Sequence, residues 1–168
     1  MPPVTAKLVG SWLTEFLNGY ESSSFHKAGD HVIANERDLL KILKFFLLAK
    51  YPQLRPEIPA FRNGRIDFGF GKLALEVAVK NKSGKGNLIV GQNAPEMVKL
   101  RKHRGQSVLA LIHMEKGSKD NLDKLIDGYR QHSLGQGNHA RVKPITLLII
   151  ARGGEKYDLK KYVLRAQI

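Results

Sequence analysis

The chain has 168 residues, of which 42% are hydrophobic and 26% are charged. This length and composition predict one folded domain with a substantial core and argue against global disorder. Lysine and arginine outnumber aspartate and glutamate by 28 to 15, which gives a formal net charge of +13. An excess of this size favours a polyanionic partner such as nucleic acid. The absence of cysteine excludes disulfides, thiolate zinc sites and cysteine nucleophiles.

The apolar segments of the chain are short. None approaches the run of about 18 residues that a membrane-spanning helix needs. The first residues, Met1-Pro2-Pro3-Val4, lack the basic start and apolar stretch of a secretory signal. We therefore expect a soluble, cytoplasmic protein without a membrane partner.

The first half of the chain predicts two helices followed by three strands. Apolar residues at helical spacing indicate a helix over about residues 4–20. A second helix is expected over about residues 35–50, with Asn35 as its N-cap and Tyr51-Pro52 at its end. Three short strand-like segments follow, at residues 57–62, 65–70 and 72–80.

The second half alternates helices and strands. We expect helices over about residues 88–103 and 119–132 and strands over residues 107–114 and 145–152; residues 157–168 fit either a short helix or a strand. This order predicts a single α/β domain over residues 1–168, with a core at about residues 35–152. Its central mixed sheet is flanked by helices, with antiparallel strands first and parallel, helix-linked strands later.

A tight hairpin is predicted at Gly71-Lys72, because glycine at the first loop position suits a type II′ turn. The turn sets the register of the two strands. The expected pairs on one apolar face are Phe70 with Leu73, Phe68 with Leu75, and Ile66 with Val77.

On the opposite face the same register brings Asp67 across from Glu76. Directly opposed residues have Cβ atoms about 4.5–5.5 Å apart, and like charges there are unfavourable. A divalent cation held between the carboxylates would relieve the repulsion, and oxygen ligands select Mg²⁺ or Mn²⁺. The alternative is a solvated strand face, in which Arg65 neutralises Asp67 and either Lys72 or Lys80 neutralises Glu76.

A third carboxylate, Glu36, lies at the start of the second helix. It shares a stripe with Leu40, Leu43 and Leu47, which directs it towards the sheet. A glutamate in the first turn also serves the helix dipole, so the position admits both interpretations.

These segments together resemble the PD-(D/E)xK nuclease superfamily, which has the restriction-endonuclease-like fold. The resemblance covers about residues 35–113. It is carried by Asn35-Glu36-Arg37-Asp38-Leu39-Leu40, Arg65-Ile66-Asp67-Phe68, Leu75-Glu76-Val77 and Gly91-Gln92. One position departs from the family pattern: Ala78 stands where the family has lysine, and Lys80 is the next lysine on that face.

The resemblance implies a metal-dependent nuclease, with a DNA endonuclease favoured over a ribonuclease. Asp67, Glu76 and the main-chain carbonyl of Val77 would hold Mg²⁺ or Mn²⁺, together with Glu36. Lys80 would orient the attacking water, and Glu36 and Gln92 would complete the outer shell. The products implied are a 5′-phosphate and a 3′-hydroxyl.

Basic residues around this segment are the expected nucleic-acid contacts: Arg65, Lys82, Lys85, Lys99, Arg101 and Lys102. Those in the last turn of a helix also complement its dipole. A homodimer would let two sites cut both strands. Two other functions stay open because of Ala78 and the basic composition: a catalytically inactive nucleic-acid-binding protein on the same fold, or a basic structural component of a ribonucleoprotein.

Overall fold

The computed structural model describes residues 2–23, 33–60, 64–134 and 143–165, without the side chains of residues 133 and 134. The helices are α1 (Ala6–Ser22), α2 (Glu36–Lys50), α3 (Val90–Lys102) and α4 (Asp123–Leu134), with a 3₁₀ turn at Ser118–Asp120. The strands are β1 (Arg55–Pro59), β2 (Arg65–Phe70), β3 (Leu73–Lys80), β4 (Gln106–His113), β5 (Ile145–Arg152) and β6 (Tyr157–Leu164).

The six strands form one mixed sheet in sequence order, β1 to β6. Strands β1, β2 and β3 are antiparallel, β3, β4 and β5 are parallel, and β6 returns antiparallel to β5. A parallel connection needs a crossover segment, and α3 and α4 supply the two that the centre of the sheet requires. The predicted α/β architecture, with a mixed sheet flanked by helices, is confirmed.

Helices cover both faces of the sheet. Helices α1 and α2 pack on one face, over the core that contains Phe68, Phe70 and Val77. Helices α3 and α4 pack on the other, over the core that contains Ile66 and Ala78. Because β3, β4 and β5 are buried on both faces, they are nearly continuous runs of apolar residues.

Helix α2 begins as predicted. The Asn35 side chain accepts a hydrogen bond from the Asp38 backbone N–H at 3.0 Å. The Asp38 carboxylate in turn accepts from the Ala34 N–H at 3.1 Å. This reciprocal cap fixes the first turn, which carries Glu36.

Several predicted boundaries differ from the observed elements. The helix predicted over residues 119–132 is divided into the 3₁₀ turn and α4, because Gly117 is left-handed (φ +81°) and Asn121 leaves the helical region. The chain end that fitted either element is strand β6 up to Leu164. The first predicted strand is observed at Arg55–Pro59, and residues 61–63 lie outside the described part of the chain. Across the described ranges, the helices are too short or too polar for a membrane span.

Candidate active site

The hairpin between β2 and β3 has the predicted register next to its turn. Gly71 has a φ of +61° and Lys72 does not have a positive φ, as a type II′ turn requires. The observed pairs are Phe70 with Leu73, Gly69 with Ala74, and Phe68 with Leu75.

The regular pleat is interrupted at Asp67, so the predicted pairing of Ile66 with Val77 on one apolar face is wrong. Ile66 belongs to the core under α3 and α4, whereas Val77 belongs to the core under α1 and α2. The register of β1 places Glu57 opposite Asp67, and Glu57 has a φ of +54°. A left-handed non-glycine residue cannot continue a flat strand, so the alternation of faces changes at this point.

Carboxylates satisfy the backbone of β3 beyond the end of this ladder. Asp67 Oδ2 accepts a hydrogen bond from the Val77 N–H at 2.9 Å. The carboxylate of Glu36, from α2, interacts with the backbone amide of Val79. Buried N–H groups need acceptors, and here the Asp67 side chain takes the place of a neighbouring strand. Asp67 is therefore anchored to the edge of β3, and Glu36 lines a cleft beside Val79 of the same strand.

The carboxyl groups of Asp67 and Glu76 interact, although the paired ladder of β2 and β3 ends at Phe68 and Leu75. Glu76 is 3% exposed and Asp67 is half-buried. Burial, with the charge of Asp67, raises the pKa of Glu76 to about 9. Burial also raises the pKa of Asp67, although hydrogen bonds from Glu76 and Val77 oppose the shift. Two carboxyl groups in contact titrate as one unit and hold a proton, or a cation, between them.

The lysine beside this pair is Lys99 of α3. Its Nζ lies 2.6 Å from Glu76 Oε1 and 3.5 Å from Glu96 Oε1, and it donates to the Arg65 carbonyl oxygen at 2.7 Å. Lys80, the lysine predicted for the site, forms an ion pair with Glu115 at 3.0 Å. Lys99, predicted as a nucleic-acid contact, therefore occupies the place next to Glu76.

Buried hydrogen bonds fix the helix that carries Lys99. Near the start of α3, Asn93 Nδ2 donates to the Tyr129 hydroxyl at 3.0 Å, and that hydroxyl donates to the Leu88 carbonyl at 2.6 Å. Near its end, Ser107 Oγ donates to the Leu100 carbonyl at 2.6 Å. These contacts tie α3 to α4 and β4 on either side of Lys99.

Ala78 lies in the core under α3. It is 3% exposed and belongs to the same cluster as Met97 and Leu100 of that helix. A small side chain at this position is compatible with the close packing of α3 on the sheet. The helix that packs over Ala78 is also the one that supplies Lys99.

Two further acidic residues surround the pair. Glu36 is exposed at the mouth of a cleft, and partial desolvation of its carboxyl group, with the charges of Asp67 and Glu96, raises its pKa to about 7. Glu96 is half-buried and was not predicted as a site residue. The sequence spacing could have identified Glu96, because Gln92, Glu96 and Lys99 lie at positions i, i+4 and i+7 on one face of the helix. The Gln92 side chain is exposed and makes no hydrogen bond within the described residues.

The predicted nucleic-acid contacts occupy different environments. Arg65, Lys85 and Lys102 are exposed. Lys85 lines a cleft of about 380 Å³ beside Glu36. Lys82 forms an ion pair with the buried Glu21 at 2.7 Å. Arg101 is half-buried, and burial lowers the pKa of its guanidinium.

The donor chemistry of the pair fits a hard divalent cation. Glu76 Oε1 is buried and, within the described ranges, has no partner in hydrogen-bond geometry, although Lys99 Nζ lies close to it. Two carboxylates and a backbone carbonyl are ligands that Mg²⁺ or Mn²⁺ accepts, with water completing the shell. The side chains of the described residues form no cluster of three or more histidine, aspartate or glutamate groups arranged around one metal position.

In comparisons with known proteins, the chain matches no family model, no curated protein and no solved structure. Its function is therefore argued from the contacts among Asp67, Glu76 and Lys99.

Proposed function

We propose that the protein is a metal-dependent nuclease that hydrolyses phosphodiester bonds, with DNA favoured as the substrate and a restriction-endonuclease-like fold. One observation carries the proposal: Asp67 and Glu76 form a buried carboxyl pair, and Lys99 Nζ lies 2.6 Å from Glu76. Acidic oxygens can hold the metal ion that activates water for phosphodiester hydrolysis, and a lysine beside them can neutralise charge on the phosphate. The net charge of +13 provides the attraction for a polyanionic substrate.

Asp67 and Glu76 are the residues that would hold Mg²⁺ or Mn²⁺, with the carbonyl of Val77. When bound, such a metal supplies a water of lowered pKa and stabilises charge on the phosphate. The chain prepares for it by bringing the half-buried Asp67 beside the buried Glu76, where the repulsion of two ionised carboxylates favours a cation.

Lys99 takes the role that the sequence resemblance gave to Lys80. Burial lowers the pKa of Lys99, but its close ion pair with Glu76 and the charge of Glu96 outweigh this effect, and the pKa is raised overall. The ammonium group therefore stays charged at neutral pH. From that position it would orient the attacking water and neutralise charge that develops on the phosphate.

Glu36 is the group we assign to accept the proton of the attacking water. With a pKa of about 7, it is available in both protonation states near neutral pH. Attack of the water on phosphorus would break the bond to the 3′ oxygen, which would take a proton from solvent, so the proposed products are a 5′-phosphate and a 3′-hydroxyl.

The inactive nucleic-acid-binding alternative rested on Ala78, which stands in place of the motif lysine. Lys99 weakens that argument, because a cation reaches Glu76 from α3. The alternative now predicts salt-sensitive binding without cleavage. A basic ribonucleoprotein component predicts neither metal uptake nor cleavage.

The test is cleavage of supercoiled plasmid, single-stranded DNA and structured RNA with Mg²⁺ or Mn²⁺ and with EDTA. Asp67→Asn and Glu76→Gln remove one charge each at the pair. Asp120→Asn and Glu155→Gln make the same changes at exposed positions and serve as matched controls.

We expect metal-dependent cleavage by the wild type and both controls, and a loss of about 100-fold or more in the two site variants. Cleavage that persists in EDTA, or that survives in Asp67→Asn, would contradict the proposal. Tight, salt-sensitive binding with no cleavage of any substrate would support the inactive alternative.

A further inference from the structure

Helix α2 presents a row of cations along a groove that reaches Asp67. The groove has a volume of about 330 Å³ and lies between α2 and strands β1 and β2. Arg37, Lys41 and Lys44 line it from the helix, and Glu57 and Asp67 line it from the sheet. The basic side of the groove therefore belongs to α2 and the acidic side to the sheet.

The three cations share one helix face and are not neutralised. Their i, i+4, i+7 spacing extends over about 10 Å at 1.5 Å per residue. In the part of the chain that the structure describes, none of them forms an ion pair, whereas Lys50, at the end of α2, pairs with Glu15. Three cations in one row can contact neighbouring phosphates of one nucleic-acid strand.

An exposed aromatic ring lies beside this row. Phe45 is 68% exposed and follows Lys41 by one helical turn. Lys44 Nζ lies 5.3 Å from the centre of its ring. An aromatic ring next to cations can stack an unpaired base, and base stacking of this kind does not depend on sequence. Binding of phosphates alone would not need Phe45.

We propose that α2 binds a single-stranded segment of nucleic acid. Its phosphates lie along Arg37, Lys41 and Lys44, and one of its bases stacks on Phe45. One part of the inference rests on the proposed function: the bound strand would be cut where the groove meets Asp67. The binding itself needs neither metal nor cleavage.

The test measures binding of a fluorescein-labelled dodecamer of thymidine by fluorescence anisotropy, in EDTA and at several NaCl concentrations. The groove variant combines Arg37→Gln, Lys41→Gln and Lys44→Gln. The matched control combines Lys124→Gln, Lys160→Gln and Lys161→Gln, which remove the same charge from exposed positions elsewhere. Thermal unfolding of both variants is measured beside the wild type, and both are expected to be folded because they change only surface side chains.

We expect the groove variant to bind at least about tenfold more weakly than the control at 100 mM NaCl. Its plot of log affinity against log salt should flatten by about 2, since each phosphate of a single strand contributes about 0.7 to the slope. Phe45→Ala should weaken binding of the single strand at least about fivefold and leave binding of a twelve-base-pair duplex unchanged.

Equal affinities and slopes for the groove variant and the control would overturn the inference. An equal loss for single strand and duplex in Phe45→Ala would overturn it too. The two proposals fail separately: binding through the groove without cleavage removes the nuclease and keeps the strand site. Metal-dependent cleavage with unchanged binding in the groove variant keeps the nuclease and removes the strand site.

Discussion

The ammonium group of Lys99, on α3, lies 2.6 Å from a carboxylate oxygen of Glu76, on β3. The two residues come from different layers of the fold, since β3 is in the sheet and α3 packs on one of its faces. The position of this lysine therefore depends on how α3 docks. The positions of its neighbours on the sheet, Asp67 and Glu76, are set by a hairpin between strands that are adjacent in sequence.

The first prediction concerns which lysine acts at the site. Lys99→Met should lower metal-dependent cleavage by about 100-fold, because it removes the cation next to Glu76. Lys80→Met is the matched control, since Lys80 pairs with Glu115 instead. It should retain cleavage within about threefold under the same conditions. The reverse order of the two variants in a single-turnover cleavage assay would assign the role to Lys80.

The second prediction concerns pH and the buried carboxyl pair in EDTA. The pKa of Glu76 is about 9 in the folded chain, well above the ordinary value of 4.5 for a glutamate, so the folded state binds this proton more tightly than the unfolded state. The stabilisation is complete below pH 4.5 and is lost as pH rises towards 9. Thermal unfolding midpoints of the wild type should therefore fall relative to those of Glu76→Gln over this range. Parallel pH curves for the two proteins would show that Glu76 is not protonated in the fold.

The third prediction concerns Asn81, which is 4% exposed at the end of β3. Its side-chain oxygen accepts from the N–H groups of Ser83 and Lys85, at 3.1 and 2.8 Å, and its amide donates to the Ala34 carbonyl. Asn81→Ala leaves these groups unpaired and should lower the free energy of unfolding by about 2–3 kcal/mol. Asn121→Ala, at an exposed position, should change it by less than about 0.5 kcal/mol. Urea unfolding measures both, and similar values would contradict the role of Asn81.

The fourth prediction concerns Gly86, in the loop that follows β3. Its φ is +101°, and a Cβ there would lie 2.2 Å from the Val79 carbonyl oxygen. Gly86→Ala should lower the free energy of unfolding by more than about 2 kcal/mol, because the left-handed backbone and the clash act together. Gly19→Ala in α1 meets open space and should raise it by about 0.5–1 kcal/mol. A neutral Gly86→Ala in urea unfolding would contradict this description of the loop.

The sequence predicted the features that depend on neighbouring residues. The capped start of α2 and the register of Phe68 with Leu75 follow from local turn and capping chemistry, and both are observed. The interaction between Asp67 and Glu76 lies one pair beyond the observed ladder, where the regular pleat is interrupted.

Features set by distant parts of the fold were not predictable in this way. The change of face at Ile66 accompanies the left-handed Glu57 on a neighbouring strand, which no pattern within β2 indicates. Lys99 was expected to contact nucleic acid because it stands among basic residues at a helix end. Its contact with Glu76 requires the helix to pack across the sheet, and helical spacing alone does not specify that.

The outer strands also govern how copies of this protein behave at high concentration. Strand β1 has only five residues, and two of them, Pro56 and Pro59, have no N–H to donate to another strand. Strand β6 exposes Lys160 and Lys161 at the other end of the sheet. Both devices discourage edge-to-edge aggregation, since one removes donors and the other brings like charges together. Concentrated solutions should therefore resist the cross-β association to which open sheets are prone.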